Sequence, residues 1–507
     1  MGKIVTKKEY IDLKLELEGK SVILCHGVFD LVHPGHVIHF EEAKALGDIL
    51  VVSVTAEKYV RKGPGRPYFK DDLRLKFLSA LEPVDYVMLS ENYTVDDIIE
   101  IVEPDFYVKG QEYAKAEDDI TGKIKDEVEL VRSHGGDVYY TSGEVFSSTK
   151  LINRALPSLP DEVKAFVGAF KRNYSFDDIK YYMEKIEHLK ILVIGDVILD
   201  EYVYCHVQGL MSKDMGYSTR YKRSEQYLGG SVAIAKHVAS FNDNVSLMSV
   251  VGHEEAIHSR LLNELSSNMR LALEYSDKFE TIIKQRFVTE NEKREELHKI
   301  FAINNLPMPV VIDEDTMVRF RCAIKEKIEP YDLVLLCDFG HGLIDAQTME
   351  IIQEKAKFLA INCQTNSSNH GLNLITKYHR ADAFTLDQQE LKLAMKSESL
   401  DEKILLQQLA EHLHAKGWLT RGAKGAVGVS DKEVHECPAM TLQVKDTIGA
   451  GDAFFSVASL CATVDAPVEI GTFMGNIAGA LAANIIGNKE SIDKVNVLKY
   501  ASTVLNI

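Results

Sequence analysis

The sequence predicts an α/β chain of two domains, each built on a mainly parallel, doubly wound sheet. Three observations predict this. The chain has 507 residues, more than one ordinary core holds. Short apolar runs alternate with helical patterns in two series, one opening at Ser21 and one at Ile191. Such a βαβα rhythm brings strands side by side in parallel with helices on both faces. Between the series, residues 156–188 begin with Pro157 and Pro160 and turn charged and helical, as an interdomain linker does. The expected boundaries are therefore 1–155, a helical linker over 156–188, and 189–507.

In the first series, Ser21–Leu24 reads as a buried strand, followed by a helix from Pro34 to near Gly47. Ile49–Val54 is the next strand. Leu73–Leu81 is helical, Tyr86–Leu89 a strand, Val95–Val102 helical, and Phe106–Val108 a strand. In the second series, strands are expected at Ile191–Ile194, Val245–Val251, Leu333–Leu336 and Phe358–Asn362. The apolar stretch Ala453–Ile486 reads as helical. No internal repeat or low-complexity tract interrupts either series.

Composition narrows the function classes. The formal net charge of −18 disfavours nucleic acid as a partner, while a locally positive pocket remains compatible with small anionic substrates. No run of about 18 uncharged apolar residues is present, so no membrane span is expected. Residues 1–20 are charged and lack a signal-peptide core, which favours the cytoplasm. The seven cysteines are scattered without a C-x-x-C pair, against disulfide scaffolding and structural zinc.

Cys25 to His36 reads C-H-G-V-F-D-L-V-H-P-G-H and joins the first strand to its helix. His33 and His36 flank Pro34 and Gly35. Proline at the first helical position and a neighbouring glycine let backbone amides face a ligand, and a helix N-terminus favours phosphate oxygens. Two imidazoles there can stabilise charge on a transferring phosphoryl group. Asp30 is equally a site residue or a turn cap. His39 reads as packing or surface.

This block resembles the H-x-G-H signature of the cytidylyltransferase-like nucleotidyltransferases. The R-K-G-P-G-R-P run at 61–67, Arg74, the L-E-P-V-D run at 81–85, P-D-F-Y-V-K-G at 104–110 and F-S-S-T-K-L-I-N at 146–153 resemble that family's later regions, in order. The resemblance implies a Rossmann-like nucleotidyltransferase domain in which a substrate phosphate attacks the α-phosphate of a triphosphate. His33, His36 and Lys62 would be catalytic. Gly27, Phe29, Lys109, Ser147, Ser148 and Thr149 would bind nucleotide or phosphate, with Mg2+ and either ATP or CTP.

Near the other end, V-K-D-T-I-G-A-G-D-A-F-F at 444–455 places a glycine turn directly before an apolar helix. The amides of Gly449, Ala450 and Gly451 can form a concave anion site. Asp452 stands where it can accept a proton from an attacking hydroxyl. The run resembles the signature of the PfkB (ribokinase) family of sugar kinases. G-D-V-I-L-D at 195–200, Gly229-Gly230, C-D-F-G-H-G at 337–342 and T-R-G-A-K-G at 420–425 resemble its other blocks. The resemblance implies a ribokinase-like α/β domain using ATP and Mg2+. Its carry-over makes Asp452 catalytic, and Thr420, Gly422, Gly425, Gly449, Ala450 and Gly451 nucleotide-binding. Asp196, Asp200, Gly229 and Gly230 would bind substrate, and Asp387 and Glu390 would hold Mg2+.

Departures from the family pattern lie in the sugar-recognising parts. Ala233 replaces an asparagine, the segment Asn362–Ser367 replaces an Asp-Pro-Lys type run, and Asp387 replaces the asparagine of N-x-x-E. Together the halves resemble the bifunctional heptose 7-phosphate kinase/heptose 1-phosphate adenylyltransferases with domain order reversed. That implies kinase and nucleotidyltransferase activities in activated-sugar synthesis, with sugar phosphate and nucleotide as small-molecule partners and a homodimer or higher homo-oligomer. The alternative keeps the transferase and treats the second domain as a non-catalytic ligand-sensing or dimerisation module.

Overall fold

The structure is a computed structural model that describes residues 2–60, 66–111, 124–141, 160–213, 215–265, 269–291, 296–306, 311–366, 369–397, 400–431, 433–441 and 444–506. The chain divides into two compact units, Met1–Lys164 with Leu498–Ile507, and Ala165–Val497.

The first unit holds β1 (Lys3–Ile4), β2 (Val22–Gly27), β3 (Ile49–Thr55), β4 (Tyr86–Ser90), β5 (Phe106–Lys109) and β6 (Asp137–Tyr140). They form one sheet in the order β1-β4-β3-β2-β5-β6, with every neighbouring pair parallel. Both faces are covered, so the strands are apolar on successive residues. Leu24, Val51, Met88 and Tyr107 face one core, and Ile23, Cys25, Leu50, Val52, Val87 and Val108 the other. The chain leaves β2 towards β3 and later returns on the opposite side as β5. That reversal opens a crevice beyond the carboxyl end of β2, where ligands bind in such sheets.

The second unit carries a nine-stranded sheet. Its strands are β7 (Ile191–Gly195), β10 (Val245–Val251), β11 (Met269–Tyr275), β14 (Leu333–Asp338), β15 (Leu359–Cys363), β16 (Ala383–Asp387), β17 (Lys416–Thr420), β18 (Ala426–Ser430) and β19 (Glu433–Cys437). The order is β11-β10-β7-β14-β15-β16-β17-β18-β19, parallel as far as β17 and antiparallel beyond it. The switch point lies between β7 and β14.

A second sheet of this unit has no counterpart in the sequence reading. Strands β8 (Val197–Leu210), β9 (Tyr217–Gly230), β12 (Ile282–Asn291) and β13 (Glu296–Asn305) pair in the order β13-β12-β8-β9. Charged and polar residues interrupt these strands and leave only short apolar runs, so no long one announces them. The pleat still sorts side chains by face. Register pairs Lys284 with Asp200, Arg286 with Tyr202 and Val288 with Tyr204, all on one side. Tyr202, Tyr204, Tyr227 and Val288 form a small buried cluster there.

Two other expectations gain detail. The helices Asp161–Asn173 and Phe176–Ile186 occupy the expected helical linker and bury Val167, Phe170, Ile179, Met183 and Ile186. The Phe170 ring lies 4.7 Å from that of Phe473 within the second unit. The apolar run Ala453–Ile486 is two helices, Ala450–Thr463 and Val468–Ala482, separated where Asp465 adopts φ 58° ahead of Pro467.

Candidate functional site

In the first unit, β2 ends at Gly27 and the chain turns through Phe29, whose φ of 46° is left-handed. The buried Phe29 ring packs on Phe40 at 5.2 Å and edge-on to His36 at 5.5 Å. The turn delivers His33 as the N-cap of the helix Pro34–Lys44. The His33 and His36 rings lie 3.9 Å apart, and the His33 backbone N–H donates to His36 Nδ1 at 3.3 Å. Both imidazoles therefore stand at one helix N-terminus, at the carboxyl end of the switch-point strand.

Asp30 is a clamp. It accepts hydrogen bonds from Arg66 at 2.9 Å and from the backbone N–H groups of Tyr68 and Phe69 at 2.6 and 3.1 Å. Arg74 is buried and donates to the carbonyls of Val28 and Thr55 at 2.6 and 2.9 Å, which fixes the floor of the turn. His39 bonds Thr141 at 3.0 Å, in keeping with a packing role. Lys109, expected on phosphate, is ion-paired with Glu127 at 2.8 Å. Lys62, Ser147, Ser148 and Thr149 lie outside the described residues.

In the second unit, a cavity of about 180 Å3 gathers Asp452, Gly449, Gly451, Asp200 and Gly230 with Lys284, Arg286, Gln364, Phe339, Asn488 and two isoleucines. Strands β8, β9 and β12 and the helix Ala450–Thr463 contribute, together with loop residues. Gly449 caps the helix Ala450–Thr463 at φ 80°, so only glycine fits without strain, and a Cβ would lie 2.6 Å from Asn488 Oδ1. Ala450 opens that helix. Behind the turn, the buried Asp446 accepts from Tyr202 Oη at 2.8 Å and from the N–H groups of Ile448 and Gly487 at 3.1 Å each. The glycine turn is thus tied to the four-stranded sheet.

Charge is unevenly shared in the cavity. Desolvation pushes the Asp452 carboxyl up to about 6, against the hydrogen bond from Gln364. Asp200 is ion-paired with Arg286. Desolvation pulls Lys284 below its ordinary value, while Asp200, Asp196 and Asp452 oppose that.

Other expected residues fall elsewhere. Asp196 is buried behind the cavity, and burial with the nearby Asp338 pushes it up to about 7. Gly229 adjoins the Asp200 carboxylate, and Gly230, which does line the cavity, takes φ 61°, where a Cβ would lie 2.5 Å from the Asp196 carbonyl oxygen. Thr420 ends β17, and Gly422 and Gly425 shape the tight turn after it. These three do not line the cavity.

Asp387 and Glu390, expected to hold Mg2+, form a capping box. Asp387 accepts the Glu390 N–H at 2.8 Å, and Glu390 accepts the N–H groups of Asp387 at 2.8 Å and Thr365 at 3.0 Å. Among the described residues, no group of three or more His, Cys, Asp or Glu could hold a metal ion. No described helix is long and apolar enough to cross a membrane.

Sequence reasoning missed Lys284, Arg286, Asn488 and the role of Gln364. Lys284 and Arg286 carried a usable signal, since two cations at period two on one strand must share a face. Asn488 supplies a carboxamide 3.5 Å from Asp200.

Comparison with known proteins agrees with this geometry. Residues 24–154 match the cytidylyltransferase-like family, and residues 189–494 match the pfkB family of carbohydrate kinases. The bifunctional protein HldE of Aliarcobacter butzleri is 37% identical over 126 residues, 24% of this chain and 26% of that protein. HldE of Campylobacter jejuni is 23% identical over 314 residues, 61% of this chain and 64% of that protein. The match therefore spans less than two thirds of these relatives' length. The phosphofructokinase-2 of Escherichia coli, solved with substrates and products, superposes with a TM-score of 0.50 at 15% identity. It covers 62% of this chain and 99% of that one, and shows the fold. The second family match extends over more than half of the residues, and the chain belongs to the pfkB family of carbohydrate kinases, with a cytidylyltransferase-like domain preceding the kinase fold.

Proposed function

We propose that the chain makes a nucleotide-activated sugar in two phosphate-transfer steps. The second unit moves the γ-phosphoryl group of ATP onto a hydroxyl of a sugar phosphate. The first unit then joins the resulting sugar 1-phosphate to the α-phosphate of a nucleoside triphosphate and releases pyrophosphate. The carrying observation is the cavity that sets a desolvated Asp452 at a helix N-terminus beside Asp200, Lys284 and Arg286.

In the kinase step, Asp452 takes the proton of the attacking hydroxyl as its oxygen bonds to the γ-phosphorus. The bond from that phosphorus to the β–γ bridging oxygen breaks, and ADP leaves with the electron pair. The glycine turn and helix N-terminus stabilise charge on the phosphoryl oxygens. Arg286 orients Asp200 on the sugar hydroxyls. Lys284 and Arg286 line the cavity together, and two cations there suit a phosphate substituent on the sugar better than a neutral sugar.

In the transfer step, His33 and His36 hold the triphosphate and donate to oxygens that gain charge as the substrate phosphate attacks. The residues fit Mg2+ carried in on the nucleotide better than a cage built by the protein, because Asp387 and Glu390 are engaged on backbone N–H groups. When bound, Mg2+ supplies charge neutralisation for the leaving phosphates. A heptose-like substrate is favoured by the likeness to the HldE proteins, with ATP or CTP as the transferred nucleotide.

The full chain should be incubated with ATP, CTP or GTP and a panel of heptose, hexose and glycerol phosphates. ADP release with one sugar phosphate, and pyrophosphate release with the corresponding 1-phosphate, are expected. Pyrophosphate release alone would favour a non-catalytic second unit.

A further inference from the structure

We propose that Gln364 is a positioning residue for phosphoryl transfer: its carboxamide dictates which oxygen of Asp452 receives the proton. The inference rests on reading the second unit as a working kinase.

The hydrogen-bond directions in this part of the site are forced. The Thr385 carbonyl in β16 can only accept, so the Asn362 Nδ2 group that meets it at 3.3 Å must donate. The same Nδ2 reaches Thr385 Oγ1 at 3.1 Å. Asn362 therefore presents Oδ1 to Gln364, whose Nε2 donates to it at 2.8 Å. The second hydrogen of that Nε2 goes to Asp452 Oδ1 at 2.9 Å. An NH2 group has two hydrogens, and both are engaged. Asp452 Oδ1 is thus fixed as an acceptor, and Oδ2 is the oxygen left to take the substrate proton.

The backbone of Gln364 is held as firmly as its side chain. Its N–H donates to the Asp338 carbonyl at 2.9 Å, and its carbonyl accepts from Asn373 Nδ2 at 3.1 Å. Asn373 is held in turn by Lys377, which donates to its Oδ1 at 2.7 Å. The carboxamide thus reaches Asp452 from a backbone anchored at the carboxyl end of the switch-point strand β14. Orientation of a base by a fixed donor contributes to the chemical step, because small misplacements cost rate more than binding. Gln364 lines the cavity, but both hydrogens of its amide are engaged on Asn362 and Asp452, so the amide donates to the base and not to the substrate.

The test measures kcat and KM for ATP and the sugar phosphate on the full chain, with pyrophosphate release by the first unit as a folding control. Gln364→Met keeps length and removes the donor, and Gln364→Glu opposes one carboxylate with another. Both should lower kcat roughly 10- to 100-fold while each KM stays within about threefold. Gln364→Lys restores a donor and should recover most of kcat. Wild-type kcat in Gln364→Met, or equal losses in the Met and Lys variants, would overturn the proposal. Gln364→Glu serves as the second variant should the Met form fail to fold. A wild-type chain that never turns over ATP would instead overturn the kinase reading, and this inference with it.

Discussion

Asp452 shows how a single residue is tuned by what surrounds it. An exposed aspartate is ionised well below neutrality and is a weak base. Removal from water pushes this carboxyl up to about 6, and the Asp200 charge adds to that, while Lys284, Arg286 and the Gln364 amide hold it back. A base must be deprotonated to work, so kinase turnover should rise with pH through about 6 and level off above it. Asp452→Asn removes the proton acceptor at constant volume and should cost on the order of 100- to 10,000-fold in kcat. The check is sugar-dependent ADP release across pH 5 to 8 (roughly) in both proteins. A flat wild-type profile, or an active Asn variant, would assign the proton to another group.

At the scale of elements, strand β12 performs two tasks through its pleat. One face closes the small tyrosine cluster through Val288, and the same face carries Lys284 and Arg286 into the cavity. Lys284→Ala should therefore raise KM for a sugar phosphate by about tenfold or more, the loss of roughly one charge-assisted contact, with a smaller effect on KM for ATP. Arg286→Ala should do worse, because it also strands the buried Asp200. Equal effects on both substrates would mean that β12 does not face the sugar. This strand also shows where sequence reading stops. The parallel strands of both units were legible because burial on two faces demands continuous apolar runs, as in Leu24–Cys25 and Leu333–Leu336. The four-stranded sheet was not, because its apolar runs are short and interrupted by charged residues, as Asp200 and Glu201 interrupt β8. His33 and His36 were legible because Pro34 and Gly35 fix a helix start between them. Asp387 and Glu390 were ambiguous because a carboxylate pair three apart at a helix start is equally a metal signature and a capping box. Two of the three N–H groups they accept are their own, three residues apart, and only Thr365 lies far away in sequence.

At the scale of the whole molecule, two candidate phosphate sites stand in separate compact units, each at the carboxyl end of a switch-point strand. On the proposed reading the first uses paired imidazoles at a helix start, and the second a glycine turn beside a carboxylate. Neither constellation draws a described catalytic side chain from the other unit, so each step should fail alone. His33→Ala should stop pyrophosphate release, by a factor of about 100 or more, and leave sugar-dependent ADP release intact. Asp452→Asn should do the reverse when sugar 1-phosphate is supplied. The intermediate between the steps is a small, highly charged sugar phosphate with no covalent tie to the chain. Mixing the two variant proteins should consequently restore conversion of sugar phosphate to nucleotide sugar, at a rate that rises with the concentration of either partner. A mixture that accumulates ADP but forms no nucleotide sugar would show that the intermediate does not escape the chain that made it, and that the two units work as one.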